Sequence, residues 1–149
     1  IENKGKGLNL TLQTLDAILC HNGEIEKEKY TYKEKTKEEF IKQYNNCYID
    51  KMQNINLIPM TLEACVLRIS DIIAYIGRDI EDAISLGILK KEDIPPLIKK
   101  ELGSTNSEII NTLVLDIIKE STNKNYIKLS KNKYEALKKH PIGCFLVYF

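Results

Sequence analysis

The stretch from residue 61 to residue 87, TLEACVLRISDIIAYIGRDIEDAISLG, decides the fold because its side chains divide into two stripes at helical spacing. At about 100° per residue, the apolar side chains collect on one side of a helix. These are Leu62, Cys65, Ile69, Ile73, Ile76, Ile80 and Ile84. Thr61 has a hydroxyl suited to cap a first turn, and Gly87 suits the left-handed residue that ends a helix. We therefore predict one long helix over residues 62–84, buried along its apolar stripe.

The opposite side of this helix forms an acidic face. Its members are Asp71, Tyr75, Arg78, Asp79 and Asp82. Most such faces are simply solvated, and that interpretation stays open here. Two features favour contact with a second element or a ligand: the tyrosine among the acids, and the small flanking residues Ser70, Ala74 and Gly77. A glycine inside a helix costs roughly 1 kcal/mol relative to alanine, so we expect a packing or functional reason for it.

Two shorter amphipathic segments are predicted to pack against the long helix. The later one covers residues 107–119, with Asn106 or Ser107 as its cap. The earlier one covers residues 8–20, and its apolar residues are Leu8, Leu12, Leu15, Ile18 and Leu19. We therefore expect an all-α fold in which residues 1–149 form a single helical domain.

A charged stretch interrupts the helical pattern. Residues 24–37, EIEKEKYTYKEKTK, contain few apolar side chains. We predict that they form an exposed loop or insert without a core face. Thr36 and Glu39 at its end have the spacing of a capping box and are expected to open another helix.

Composition excludes several classes of protein. The chain has 149 residues, 43% hydrophobic and 29% charged, which is enough to bury the core of one domain. Its formal net charge of +1 gives no strong nucleic-acid signal, and no apolar run is long enough to predict a membrane span. The four cysteines lack any C-x-x-C spacing, so we expect reduced thiols in a cytoplasmic protein rather than a zinc site. The frequent isoleucine, lysine and asparagine are typical of an AT-rich bacterial genome.

Residues 68–87, RISDIIAYIGRDIEDAISLG, and residues 7–24, GLNLTLQTLDAILCHNGE, have counterparts in one known family. The first block resembles the pattern A-D-x-I-A-Y-x-x-x-D-x-x-D-A-I, and the second resembles G-L-N-L-T-x-x-x-x-x-G-I-x-x-H. Both patterns occur, in this order, in the HD-domain deoxynucleoside triphosphate triphosphohydrolases, the dGTPase-like enzymes. The resemblance implies a helical HD-domain-type bundle. It also implies a metal-dependent hydrolase that converts a dNTP into a deoxynucleoside and tripolyphosphate.

The resemblance assigns roles to several residues of the acidic face. It implies that Asp71 is a metal ligand and that Tyr75 and Asp79 face the deoxyribose and its 3′-hydroxyl. Their i, i+4 and i+8 spacing places all three on one side of a helix. Ile72 stands where some relatives have a lysine that reaches the phosphates, which leaves Arg78 as a candidate phosphate-binding residue.

The histidines depart from the family's pattern. The family's metal is held by a histidine, an adjacent His-Asp pair and a distant aspartate, of which only Asp71 has a counterpart here. The chain contains two histidines, His21 and His140, and neither precedes an aspartate. We therefore expect a C-terminal part of such an enzyme, without the N-terminal His-Asp portion. His21 is a candidate catalytic residue, with a helix C-terminal cap as the alternative, whereas His140 is assigned a structural role.

Two functions remain open from the sequence. The first is dNTP hydrolysis, for example of dGTP, by the full-length enzyme. Its cofactor would be a divalent metal ion that polarises the α-phosphate and activates a water. The resemblance does not distinguish Mg, Mn, Fe, Co, Ni and Zn, and it leaves a homo-oligomer open. The second function is a non-catalytic helical interaction or regulatory domain derived from an HD-domain hydrolase. A His-Asp pair in the upstream gene sequence would favour the enzyme.

Overall fold

The computed structural model describes residues 2–21, 27–50 and 53–138. Within these ranges the chain forms an all-α bundle with one two-stranded antiparallel sheet. In chain order the elements are α1 (Leu12–Cys20), β1 (Lys29–Tyr30), α2 (Lys37–Ile49), α3 (Leu62–Ser85), α4 (Pro96–Glu101), α5 (Asn106–Ser121), β2 (Ile127–Lys128) and α6 (Lys131–Lys138). His140 and Cys144, on which the sequence carried predictions, lie outside the described residues. Among the described helices, none is long and apolar enough to cross a bilayer.

The long helix α3 begins and ends where the sequence predicts, within one residue. Thr61 precedes it, and the Thr61 hydroxyl accepts a hydrogen bond from the backbone N–H of Ala64 at 3.2 Å. Such a bond satisfies one of the backbone donors that a helix start leaves without an intrahelical partner. Just past the helix end, Gly87 adopts φ +71°, the left-handed conformation that glycine takes at little cost.

The apolar stripe of α3 forms the centre of the core. Ile69, Ile73 and Ile80 are only 2–4% exposed, and each contributes about 1.5–3 kcal/mol relative to an exposed side chain. Helices α1 and α5 both pack against α3. The predicted arrangement of these three helices is therefore confirmed.

Helix α1 presents a different face to the core from the one that its leucines suggest. Leu15 and Ile18 are 40% and 52% exposed, whereas Asp16 and Cys20 are fully buried. Leu8 is 65% exposed and precedes the helix, which begins at Leu12 rather than at residue 8. The prediction that Leu8, Leu15 and Ile18 belong to the buried stripe is therefore wrong. The Asp16 carboxylate has partners inside the protein, which turns this side of α1 inward.

The cap of α5 is shifted by one residue from the prediction. The helix is capped by Thr105, whose hydroxyl accepts a hydrogen bond from the backbone N–H of Glu108. The Glu108 carboxylate accepts in return from the backbone N–H of Thr105 at 3.3 Å. This reciprocal capping box satisfies two backbone donors, so Asn106 becomes the first helical residue rather than the cap.

The charged stretch of residues 24–37 is not without a core face. Of its described residues, Lys29 and Tyr30 form β1, which pairs antiparallel with Ile127 and Lys128 of β2. Tyr30 is only 4% exposed and belongs to the main apolar cluster. The prediction of an insert without a core face is therefore wrong. Its partner strand lies about a hundred residues away along the chain, a pairing that no local pattern indicates.

Candidate functional site

The acidic face of α3 carries the predicted site residues on one continuous helix. Tyr75 is 61% exposed, whereas Asp71 and Asp79 are partly buried. At 1.5 Å per residue, Asp71 and Asp79 lie about 12 Å apart along the axis. This face therefore holds a row of two carboxylates with a phenol between them, long enough to lie along an extended ligand.

Electrostatic interactions within the acidic face are weak or repulsive. Arg78 Nε lies 4.0 Å from an oxygen of Asp82, and both side chains are mostly exposed, so this pair contributes little. Partial burial raises the pKa of Asp79, and repulsion by the nearby Asp82 carboxylate raises it further. Arg78 therefore already has a neighbour of opposite charge. The charged form of Asp79 is disfavoured where it stands.

His21 lies at the end of α1 and bonds to its own helix. Its ring nitrogen Nδ1 is 2.6 Å from the carbonyl oxygen of Ile18. Among the described residues, no hydrogen bond or ion pair joins His21 to Asp71, Tyr75 or Asp79. The geometry is that of the helix C-terminal cap, and the catalytic role of His21 stays a prediction.

A metal centre is not assembled from the side chains that the structure describes. Across residues 2–21, 27–50 and 53–138, no three His, Cys, Asp or Glu side chains come together in a group able to hold an ion. Catalytic zinc sites use three protein ligands, and other divalent ions also need several donors. Asp71 by itself therefore does not fit a complete metal site.

Gly77 allows a close approach, and the approaching element is α5. A Cβ atom placed on Gly77 would lie 2.0 Å from the Asn106 side-chain oxygen and 3.0 Å from the Asn106 Cα. Both distances are shorter than a carbon contact allows. The other two small residues, Ser70 and Ala74, are exposed. The glycine on this helix therefore has a packing reason at the start of α5.

Sequence reasoning missed a buried polar group beside α3. The Asp16 carboxylate accepts hydrogen bonds from Lys35 Nζ at 2.5 Å and from the backbone N–H of Met60 at 2.6 Å. Asp16 and Lys35 side chains are 0% and 3% exposed. Arg68 is also buried and donates to the carbonyl oxygen of Leu57 at 3.1 Å. In the sequence, the burial of Asp16 was indicated only by its spacing. It lies four residues from both Leu12 and Cys20, and therefore on the same side of α1.

The buried cysteines near this group are not suited to act as nucleophiles. Burial raises the pKa of the Cys20 thiol to about 12, and the Asp16 carboxylate adds to the rise. Burial likewise raises the pKa of Cys65 to about 11. Because the thiolate is the reactive form, both residues remain neutral thiols. They are free, as is Cys47.

Comparison with curated proteins finds several similar proteins, each named deoxyguanosinetriphosphate triphosphohydrolase-like protein. The one from Clostridium perfringens strain SM101 is 38% identical over 118 residues, which cover 79% of this chain and 26% of that protein. The one from Caldanaerobacter subterraneus is 36% identical over 136 residues, covering 91% of this chain and 31% of that protein. A relative from Clostridium tetani is 37% identical over 121 residues, covering 81% of this chain and 27% of that protein.

By its sequence, this chain belongs with the deoxyguanosinetriphosphate triphosphohydrolase-like proteins. The resemblance to dGTPase-like proteins, recognised from two sequence blocks, is thereby confirmed, whereas the HD-domain assignment stays a prediction. The chain spans 26–31% of the length of these three triphosphohydrolase-like relatives. No family model and no solved structure matches it. The similarity to triphosphohydrolase-like proteins supports a hydrolase family for this chain.

Proposed function

We propose that the whole protein to which this chain belongs hydrolyses a deoxynucleoside triphosphate to a deoxynucleoside and tripolyphosphate, in the cytoplasm. The observation that supports this most is the match to triphosphohydrolase-like proteins over 79–91% of the chain. The acidic face of α3 supports it further, because the resemblance assigns roles to Asp71, Tyr75 and Asp79, which lie in one row on that face.

In this proposal, the nucleotide lies along the acidic face of α3. Asp71 would supply one carboxylate ligand to a divalent metal ion, and the remaining ligands would come from elsewhere in the whole protein. Tyr75 is exposed and stands one helical turn further along, where its ring offers an apolar surface to a deoxyribose. Asp79, a further turn away, accepts a hydrogen bond from the 3′-hydroxyl. Arg78 is the candidate for a phosphate contact, in competition with Asp82.

The experiment compares Asp71→Ala and Asp79→Ala in the whole protein, with Glu81→Ala as the matched control on the same helix. Asp71→Ala should abolish tripolyphosphate release and lower the bound metal. Asp79→Ala should keep the metal and lower kcat/KM by about ten- to a hundredfold, because a charged group's hydrogen bond contributes about 1.5–3 kcal/mol. Glu81→Ala should change neither quantity strongly, since its side chain is exposed and lies on a different side of α3 from Asp71 and Asp79.

Metal content and steady-state kinetics on dGTP are measured for all three variants. Full metal and activity in Asp71→Ala, or loss of metal in Asp79→Ala, would contradict the assigned roles.

The second candidate is a non-catalytic helical interaction or regulatory domain. The observation that favours it is the lack, among the described side chains, of a group able to hold a metal ion. The sequence of the whole gene distinguishes these two candidate functions. An upstream His-Asp pair favours the enzyme, and its absence favours the non-catalytic domain.

A further inference from the structure

Helix α5 has apolar side chains on both of its sides. Seven of the ten residues from 109 to 118 are Ile, Leu or Val, which leaves no room for the polar half of an ordinary surface helix. A helix that is apolar all round is normally buried all round. The sequence of α5 is therefore typical of an interior helix.

The inner side of α5 accounts for four of these apolar residues. Ile109 and Leu113 are fully buried in the main apolar cluster, and Ile110 and Ile117 are partly buried against it. This side packs on α3, where the start of α5 approaches Gly77. The contact with α3 explains these four residues and leaves the other three unexplained.

The outer face of α5 consists of Asn111, Val114, Leu115 and Ile118. These residues follow the i, i+3, i+4, i+7 spacing that places side chains on one helical face. Val114, Leu115 and Ile118 are 42%, 57% and 57% exposed, and none of them belongs to the apolar cluster of the described residues. The described bundle therefore leaves a second apolar stripe of α5 about half open to solvent.

The outer face carries no charged side chain. The charged residue between positions 109 and 118 is Asp116, whose carboxylate accepts a hydrogen bond from the backbone N–H of Ser130 at 2.8 Å. At about 100° per residue, Asp116 lies on the other side of the helix from Val114 and Ile118. A face without charge favours an apolar partner, because a polar or ionic group buried there would lose its hydration without compensation.

The length of the relatives indicates what this partner is. The chain spans 26–31% of three triphosphohydrolase-like relatives, so most of a protein of that length lies outside these 149 residues. A second copy or a separate protein usually buries about 800 Å² on each partner, and three half-exposed side chains supply only part of such an area. A segment of the same polypeptide needs less, because it does not lose translational and rotational freedom when it packs.

We propose that the outer face of α5 packs against an apolar segment of the whole protein that lies outside residues 1–149. Val114, Leu115 and Ile118 bury their exposed surface in this contact, so α5 is covered on both sides. None of these residues belongs to the acidic face of α3, so the contact is separate from the proposed site of hydrolysis.

Maleimide labelling of introduced cysteines tests this contact, with the labelled positions identified by peptide mass spectrometry. Leu115→Cys and Ile118→Cys probe the outer face, and Lys124→Cys, in the exposed turn after α5, is the matched control. In the whole protein, the two outer-face thiols should react about tenfold or more slowly than the control, because local opening must first expose them. In the 149-residue chain, all three thiols should react at rates within about threefold of one another, since local opening is not needed.

A charge placed on the outer face gives a second measurement. Leu115→Glu should lower the urea midpoint of the whole protein and leave that of the 149-residue chain unchanged, because only the whole protein would bury the unpaired carboxylate. Lys124→Glu should change neither midpoint.

Three results would overturn the proposal. Fast labelling of both outer-face thiols in the whole protein would show that the face is open to solvent. Equal slowing at all three positions would show that the outer face has no cover of its own. Slow labelling in the 149-residue chain would show a different occupant, which is a second copy if the protection falls on dilution. Both measurements are made without a dNTP, so their outcomes are independent of the proposed hydrolysis.

Discussion

Asp16 joins three parts of the chain through one buried carboxylate. It lies on α1, its Lys35 partner lies in the charged stretch, and its other partner is the backbone of Met60 just before α3. Lys35 Nζ also lies 3.7 Å from the Cys20 sulfur. The position of α1 against the start of α3 therefore depends on a polar contact as well as on apolar packing.

Replacing Asp16 with alanine should destabilise the protein by about 3–5 kcal/mol, because Lys35 would keep a buried charge without its partner. The double variant Asp16→Leu with Lys35→Met should recover part of that loss, since it removes both charges. Urea unfolding of the chain measures the free energy of unfolding of the single variant and of the double variant. The exposed Asp82→Ala is the control, and its effect should stay within about 0.5 kcal/mol. A loss for Asp16→Ala no larger than that of the control would show that the pair does not contribute to stability.

The side chains of the acidic face contribute little to the free energy of unfolding, which is consistent with a binding surface. Tyr75 is largely exposed, and the ion pair of Arg78 with Asp82 is long and solvated. The raised pKa of Asp79 marks a carboxylate whose charge is slightly unfavourable where it stands. Such perturbed acids are more frequent at functional sites than elsewhere on a surface.

At the scale of elements, the contact of α3 with α5 depends on Gly77. The start of α5 approaches the α3 backbone so closely that a side chain at residue 77 would meet Asn106. The capping box of Thr105 and Glu108 fixes where α5 begins, and therefore fixes this contact. The cost of a glycine inside α3 is offset by the close packing that it permits.

Gly77→Ala should therefore lower stability by about 1–3 kcal/mol, as overpacking does, although alanine favours an isolated helix by about 1 kcal/mol. Adding Asn106→Ala should restore part of the loss, because it removes the two nearest side-chain atoms, Oδ1 and Cγ of Asn106. Thermal unfolding of the two single variants and the double variant measures the coupling. Ala74→Gly, at an exposed position of the same helix, is the propensity control. A stabilising effect of Gly77→Ala would contradict the packing interpretation.

At the scale of the whole molecule, the described bundle contains the acidic face, but its described side chains form no group able to hold a metal ion. The core is continuous along α3, while the acidic face lies outside it. The triphosphohydrolase-like relatives are much longer than this chain. A complete site in the whole protein would then be formed by further residues packed over this face.

The 149-residue chain by itself should therefore release no tripolyphosphate from dGTP and should bind divalent metal weakly or not at all. A single carboxylate does not replace the several ligands that hold a catalytic ion. Tripolyphosphate release is measured with Mg²⁺, Mn²⁺ and Co²⁺ supplied in turn, and metal binding by calorimetry. The whole protein serves as the positive control. Turnover by the chain alone would show that its own residues form a working site.

The sequence by itself determined the central helix, its buried face and the family. Periodicity, a hydroxyl cap and an end glycine are local signals, because each acts within a few residues of the chain. They placed α3 within one residue of its observed end and predicted its packing against α1 and α5. The acidic face was visible for the same reason, since residues three and four apart on a helix share one side.

Only the tertiary structure decided the polar contacts between distant segments. The inward side of α1, the pairing of β1 with β2 and the approach of Asn106 to Gly77 each join residues far apart in the chain. Local pattern does not encode these contacts, because burying an Asp or a Lys is favourable only once its partner is in place. The partner's position is set by how all the helices pack together.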